Sequence, residues 1–327
     1  MREFAYARAR SVDAAVALVA DNPGARYLGG GTNLVDLMKL GVERPDLLVD
    51  VTGLPMHEVT EDGDTLHVGA LVRNSDLAAH PLVRERYPVL SQAVLAGASG
   101  QLRNVATTGG NLVQRTRCGY FTDATKPCNK RMPGSGCPAI EGEHHNLAIL
   151  GASDHCVATH PSDLAVALAA LDARVGVQDL AGPQEIPLAD FYRPVGDRPD
   201  LELTVRDGAL VTGVALPPLP AGARSAYRKV RERASYAFAI GSVAAVLKVD
   251  DGRVRDVRIA LGAVASHPWR ARVAERALVD APATPPAFEA AAEAELAAAR
   301  PLRDNAYKVP LIRNLVVAVL SELVGDR

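Results

Sequence analysis

Two apolar periodicities alternate along the chain, and they divide it into units. In the first 55 residues, the run from Val12 to Val19 has helical spacing and follows Ser11, a residue type that caps helix N-termini. A short strand ending at Tyr27-Leu28, a second helix from Leu34 to Leu40 closed by Gly41, and a buried strand Leu47–Val51 complete a small α/β unit. Residues 56–220 read as a larger α+β unit. It has a hairpin turn at Glu61-Asp62-Gly63-Asp64, helices over Asn74–Ala79 and Val89–Leu95, and a helix after Pro161-Ser162-Asp163. Strands at Ala173–Val177 and Leu210–Leu216 close it, and Pro217, Pro218 and Pro220 mark a linker. From 221 to 327 the pattern predicts an antiparallel sheet of strands Ala226–Val230, Ala239–Val249 and Val254–Ala263. Helices near Arg270–Val279, Ala287–Ala298 and Lys308–Leu323 are expected on one face. The fold class is α+β, with two domains over 1–220 and 221–327.

Within the second of these units lies a stretch, 112–160, with neither period. It holds all four cysteines of the chain, Cys118, Cys128, Cys137 and Cys156, among turn-formers such as Pro127, Pro133, Gly134, Gly136 and Pro138. Four thiolates can complete one tetrahedral metal or cluster site. The intervening gaps are nine, eight and eighteen residues, so the close C-x2-C pairs of most zinc sites are missing. Spacing alone favours a [4Fe-4S] cluster over zinc, and zinc over two disulfides, since a chain of 327 residues needs no staples to fold. His144, His145 and His155 lie nearby and read as loop residues rather than ligands.

Gly29-Gly30-Gly31-Thr32-Asn33 falls between a strand and a helix. Consecutive glycines let backbone approach a ligand, and the following helix start offers N–H groups to an anion, which together suggest a phosphate or pyrophosphate cradle. It is not the G-x-G-x-x-G fingerprint of a doubly wound sheet. Thr107-Thr108-Gly109-Gly110-Asn111 is a second such loop, and the pair could hold a dinucleotide from two sides. Lys229, Arg231 and Arg233 could steady a ring that gains charge on reduction, as a flavin does.

Composition narrows the classes. Hydrophobic residues make up 48% and charged residues 23%, as in ordinary globular proteins, and the net charge of −2 gives no basic surface for nucleic acid. No run approaches the ~20 apolar residues of a membrane span, and Met-Arg-Glu-Phe-Ala-Tyr has no signal-peptide core. The chain reads as cytoplasmic and not inserted in a membrane. A periplasmic location by export with a partner would leave no mark.

Together these segments resemble the FAD-binding (medium) subunits of the xanthine dehydrogenase family of molybdenum hydroxylases, over essentially the whole chain. Arg26-Tyr27-Leu28-Gly29-Gly30-Gly31-Thr32-Asn33-Leu34 looks like the family's first FAD motif, and Ala106-Thr107-Thr108-Gly109-Gly110-Asn111 like its second. His160-Pro161-Ser162-Asp163 matches the segment whose Asp contacts the flavin nucleotide. Lys229 in Tyr-Arg-Lys-Val-Arg-Glu-Arg matches the Lys near the isoalloxazine. The resemblance implies a PCMH-type FAD-binding domain and a carboxy-terminal flavoprotein domain. Arg26 to Leu34, Thr107, Thr108, Gly110, Asn111, Ser162, Asp163, Val211 and Lys229 would be its cofactor-binding residues.

The residues around each cysteine are similar to the bacterial aldehyde oxidoreductase branch, where the loop carries a [4Fe-4S] cluster on Cys118, Cys128, Cys137 and Cys156. A large subunit with a molybdenum cofactor would then oxidise the aldehyde, and a small subunit with two [2Fe-2S] clusters would pass electrons to FAD here and on to an external acceptor. The segment Arg233–Ala239 lacks the acidic pair of other members, which argues against NAD as that acceptor. In it, Tyr236 or Phe238 could lie against the flavin, with a core position an equal reading for Phe238. Two other classes compete: a self-contained flavoenzyme similar to UDP-N-acetylenolpyruvoylglucosamine reductase, and a zinc-stabilised nucleotide-binding module without redox chemistry.

Overall fold

A computed structural model describes residues 1–325. Three strands, β1 (Ala5–Arg8), β2 (Ala25–Leu28) and β3 (Leu47–Asp50), form a parallel sheet with β3 in the middle. Parallel neighbours need crossovers, and helices Val12–Ala20 and Leu34–Lys39 supply them. Ser11 starts the first helix by accepting from the Ala14 amide at 3.1 Å, and Ala15, Val16 and Val19 turn inward at helical spacing.

The second sheet is antiparallel. Its strands are β4 (Val59–Asp62), β5 (Thr65–Gly69), β6 (Arg174–Asp179), β7 (Gly182–Pro187) and β8 (Leu210–Leu216), in the order β4-β5-β8-β6-β7. The long excursion between β5 and β6 carries helices Asn74–Ala79, Pro81–Arg86, Pro88–Ala96 and Asp163–Ala170, and the cysteine segment. β7 was not legible in the pattern. Pro183 and Pro187 cannot donate to a ladder and are tolerated because β7 is an edge strand.

The third sheet runs β12-β11-β10-β9, from β9 (Arg224–Val230), β10 (Gly241–Asp250), β11 (Arg253–Gly262) and the short β12 (Trp269–Arg270). β10 is apolar at nearly every position because both faces of this sheet are covered. Ala244 and Val246 join the core shared with helices Pro88–Ala96 and Asp163–Ala170. Val243, Ala245 and Leu247 face helices Arg272–Leu278, Pro285–Leu296 and Lys308–Gly325. The expected helices thus cover one face as predicted, and helices from the larger unit cover the other.

The cysteine segment is not the flexible loop its turn-formers suggest. Phe121, Ala139, Leu147, Val157 and Ala158 gather with Cys118 and Cys156 into a small apolar core of their own. Arg115 pins it electrostatically, reaching Glu43 at 2.5 Å and Glu202 at 2.9 Å, with Lys130 on Glu202 at 3.3 Å. Burial pushes the Glu202 carboxyl up, but Lys130 and Arg115 outweigh it and hold it below its ordinary value.

Lys308 opens the last helix fully buried. Its ammonium donates to the carbonyls of Asn146, Leu147 and Ala263, with no carboxylate partner among the described residues. Burial lowers its pKa from 10.5 to about 7. Between those values the unfolded chain binds a proton that the folded chain does not, so this group makes stability rise with pH from about 7 towards 10.5. Urea unfolding of Lys308→Met at pH 7 and pH 9 is expected to show a flatter rise than the parent. An unchanged slope would refute the assignment.

Candidate functional site

The C-terminal end of β2, the second glycine loop, the start of helix Asp163–Ala170 and the end of β9 meet around one cleft of about 920 Å³. That lies near the upper end of the ~300–1,000 Å³ of small-molecule and cofactor sites.

The two glycine loops are built on each other. The second is tied to residues 70–74 by amide bonds from Thr108 to Val72, from Gly109 to Ala70 and from Asn74 to Ala106, all 2.8–2.9 Å. Gly30 packs on it so closely that a Cβ would sit 2.1 Å from the Val105 carbonyl oxygen. Contact between the loops by itself therefore requires glycine here. Gly31 is glycine for another reason, a φ of +73° that side-chain-bearing residues rarely adopt. The helix that follows, Leu34–Lys39, is only six residues long, so it offers amides more than a sizeable dipole.

Of the expected residues, Gly30, Gly31, Thr32, Asn33, Gly110, Asn111, Ser162, Asp163 and Lys229 line the cleft. Arg26, Tyr27, Leu28, Gly29, Leu34, Thr107, Thr108 and Val211 are not on its walls. The Tyr27 hydroxyl donates to the Gly208 carbonyl at 2.6 Å, and Arg26 pairs with Glu43. The Thr107 hydroxyl accepts from the Gly110 amide, the Thr108 hydroxyl donates to the Val72 carbonyl, and Val211 is a buried member of β8.

The charged centre of the cleft is a buried pair. Lys229 donates to Asp163 Oδ2 at 2.8 Å and to the Ala96 carbonyl at 3.2 Å, and Tyr227 donates to Asp163 Oδ1. The two charged side chains are 3% and 8% exposed. Ser162 caps the helix through the Ala165 amide and donates to Asn111 Oδ1 at 2.6 Å, joining the second loop to the Asp163 segment. At the rim, Phe238 is exposed beneath Arg117 at 5.3 Å, and Tyr236 is exposed with a φ of +53°. The core reading of Phe238 is thus corrected. It stands outside the strand, with the Arg117 guanidinium over its ring and half of its surface exposed.

Polar satisfaction points to a ligand. Eight buried side-chain polar atoms lack a hydrogen-bond partner among the described residues, and five belong to cleft-lining residues: Asn33 Nδ2, Asn74 Oδ1, Arg117 Nε, His160 Nε2 and Ser242 Oγ. Unpaired buried polar atoms are costly, so such a concentration fits a wall shaped for a polar partner. Asn74 and Ser242 were missed from the sequence. Ser242 left a readable trace, the one hydroxyl in the apolar run Gly241–Leu247.

All four cysteines are free and face one small cavity beside the cleft; Cys118 lies on the walls of both. The disulfide alternative is therefore not what the structure contains. Burial raises the thiol pKa of Cys118 and Cys137, and pushes Cys156 up to about 11. Among the described residues no three His, Cys, Asp or Glu side chains close around a single point as one metal ion requires. His144 is committed to main chain, one ring nitrogen on the Ala139 carbonyl and the other accepting from the Asp304 amide.

A cleft of this size with loop amides, a buried ion pair and unpaired polar atoms on its walls suits a large polar cofactor such as a nucleotide. The family described as the FAD binding domain in molybdopterin dehydrogenase matches residues 2–219, and the CO dehydrogenase flavoprotein C-terminal domain matches residues 225–323. The chain belongs to this family, the FAD-binding medium subunits of molybdenum hydroxylases. It is 49% identical over 325 residues to the aldehyde oxidoreductase FAD-binding subunit PaoB of Escherichia coli strain K12, covering 98% of both chains. It is 26% identical over 278 residues to the glyceraldehyde dehydrogenase medium chain of Sulfolobus acidocaldarius, covering 85% of this chain and 81% of that one. A chain of the carbon monoxide dehydrogenase from Hydrogenophaga pseudoflava superposes with a TM-score of 0.78 at 26% identity, covering 99% of this chain and 98% of that one. Among the described residues no helix is long and apolar enough to cross a membrane.

Proposed function

We propose that this chain is the FAD- and [4Fe-4S]-carrying electron-transfer subunit of a molybdenum-dependent aldehyde oxidoreductase. A large subunit with the molybdenum cofactor would oxidise the aldehyde to the acid, and a small subunit with two [2Fe-2S] clusters would deliver the electrons. FAD, when bound, supplies two-electron acceptance and stepwise release to an external acceptor. The domain division at about residue 220 belongs to this reading.

The observation that carries it is the convergence of four free thiols on one cavity whose wall continues into the cleft at Cys118. Four thiols on one cavity match the ligand count of one [4Fe-4S] cluster, and their sequence gaps lack the close pairs of most zinc sites. The chain's own residues then bind and orient the flavin. The backbone of Gly30 to Asn33 and of Gly110 and Asn111, which lines the cleft, would hold the pyrophosphate, Ser162 and Asp163 the nucleotide, and Lys229 would supply positive charge beside it.

The test is the absorption spectrum of the anaerobically purified chain, with iron and acid-labile sulfide quantified. Flavin bands with about four iron and four sulfide per chain are expected, as one cubane requires. Flavin without iron, after cluster loss has been excluded, would return the chain to a self-contained flavoprotein. Zinc without flavin would overturn the reading. Replacing any one of the four cysteines by serine is expected to abolish the iron content while FAD stays bound, because cradle and cysteine cavity are separate segments. Full iron in each single mutant would remove the cluster from the assignment.

A further inference from the structure

Resting on the flavin reading above, we propose that Tyr227 is a positioning residue that sets the flavin's reduction potential through Asp163 and Lys229. Tyr227 is 7% exposed, and among the described residues its hydroxyl has one acceptor, Asp163 Oδ1. The other carboxylate oxygen carries Lys229 Nζ at 2.8 Å. Asp163 and Lys229 line the cleft and Tyr227 does not, so the phenol acts from one layer behind the wall.

Strand geometry makes this arrangement. Tyr227 and Lys229 are two residues apart on β9, so their side chains share a face, opposite Ala244 and Ser242 of β10. Helix Asp163–Ala170 packs against β10 and β11 and presents its first residue to both donors.

A carboxylate shared by two donors divides its charge between them. The phenol draws charge density from Asp163, which leaves more of the Lys229 charge uncompensated towards the cleft. In a site this dry the difference is weakly screened. Reduction adds negative charge to a flavin, so a larger net positive field favours the reduced form. Tyr227 therefore raises the potential without touching the ring.

The test is spectroelectrochemical titration of the full chain with FAD bound, for the parent, Tyr227→Phe, and a protein with 3-fluorotyrosine at 227, whose hydroxyl donates more strongly. Tyr227→Phe is expected to weaken flavin reduction about tenfold, a fall of about 30 mV for a two-electron couple. The fluorinated side chain is expected to shift it the opposite way. Potentials that stay at the parent value, or that move in the same direction in both proteins, would overturn the role, since a purely structural contact has no reason to respond with opposite signs. A parent chain that takes up no FAD would overturn the flavin reading itself, and the role with it.

Discussion

Lys229→Met is expected to destabilise the folded chain by about 3–5 kcal/mol, the cost of stranding one member of a buried ion pair. The lysine neutralises Asp163 at 2.8 Å in a place where both side chains are more than nine-tenths buried. Without it the carboxylate keeps the Tyr227 hydroxyl as its one side-chain donor among the described residues. The double variant Lys229→Met, Asp163→Asn should recover most of the loss, because the penalty belongs to the unpaired charge rather than to the pair. Urea unfolding followed by circular dichroism measures both. A loss under about 1 kcal/mol in the single variant, the range of exposed pairs, would show that water reaches the pair and that the cleft is wetter than its geometry indicates.

Gly30→Ala is expected to weaken FAD binding about a hundredfold or more, equivalent to about 3 kcal/mol. The new Cβ would sit 2.1 Å from the Val105 oxygen and 2.8 Å from its carbonyl carbon, atoms of the backbone that cannot rotate away. The second glycine loop must move, and it carries Gly110 and Asn111, which line the cleft. Gly31→Ala is the informative comparison. Its penalty is the left-handed φ of +73°, worth about 1–2 kcal/mol, with a milder contact at Val35. Equilibrium titration of the apo chain by flavin fluorescence separates the two. An affinity for Gly30→Ala within a few fold of the parent would mean that the loops separate freely.

Much of this site could be read in the linear chain, and the unread part has physical causes. Glycine runs beside hydroxyls and an asparagine mark the two loops, and four clustered cysteines mark a third, because these features are local. Pairings over distance are not local: Lys229 and Asp163 were each identified, yet their contact spans 66 positions and depends on how helix Asp163–Ala170 meets β9. Tyr227 looks like an ordinary strand aromatic until that geometry exists. The glycines stand out in the sequence, but the contact of Gly30 with the second loop does not, since a residue without a side chain does not say whether a ligand or another loop needs the space. Thr107 and Thr108 sit in a lining loop without lining the cleft themselves, and Val211 lies in a strand behind it, distinctions of fold that the linear pattern does not carry. The edge strand β7 was hidden by its prolines.

Cys118 stands on the wall between two compartments. If filling the cysteine cavity stiffens this wall, the flavin binds a surface already ordered. By reciprocity the flavin must then tighten the hold on the cluster by the same factor. The linkage is one of degree: a chain stripped of iron still takes up FAD, with an affinity lower by that factor.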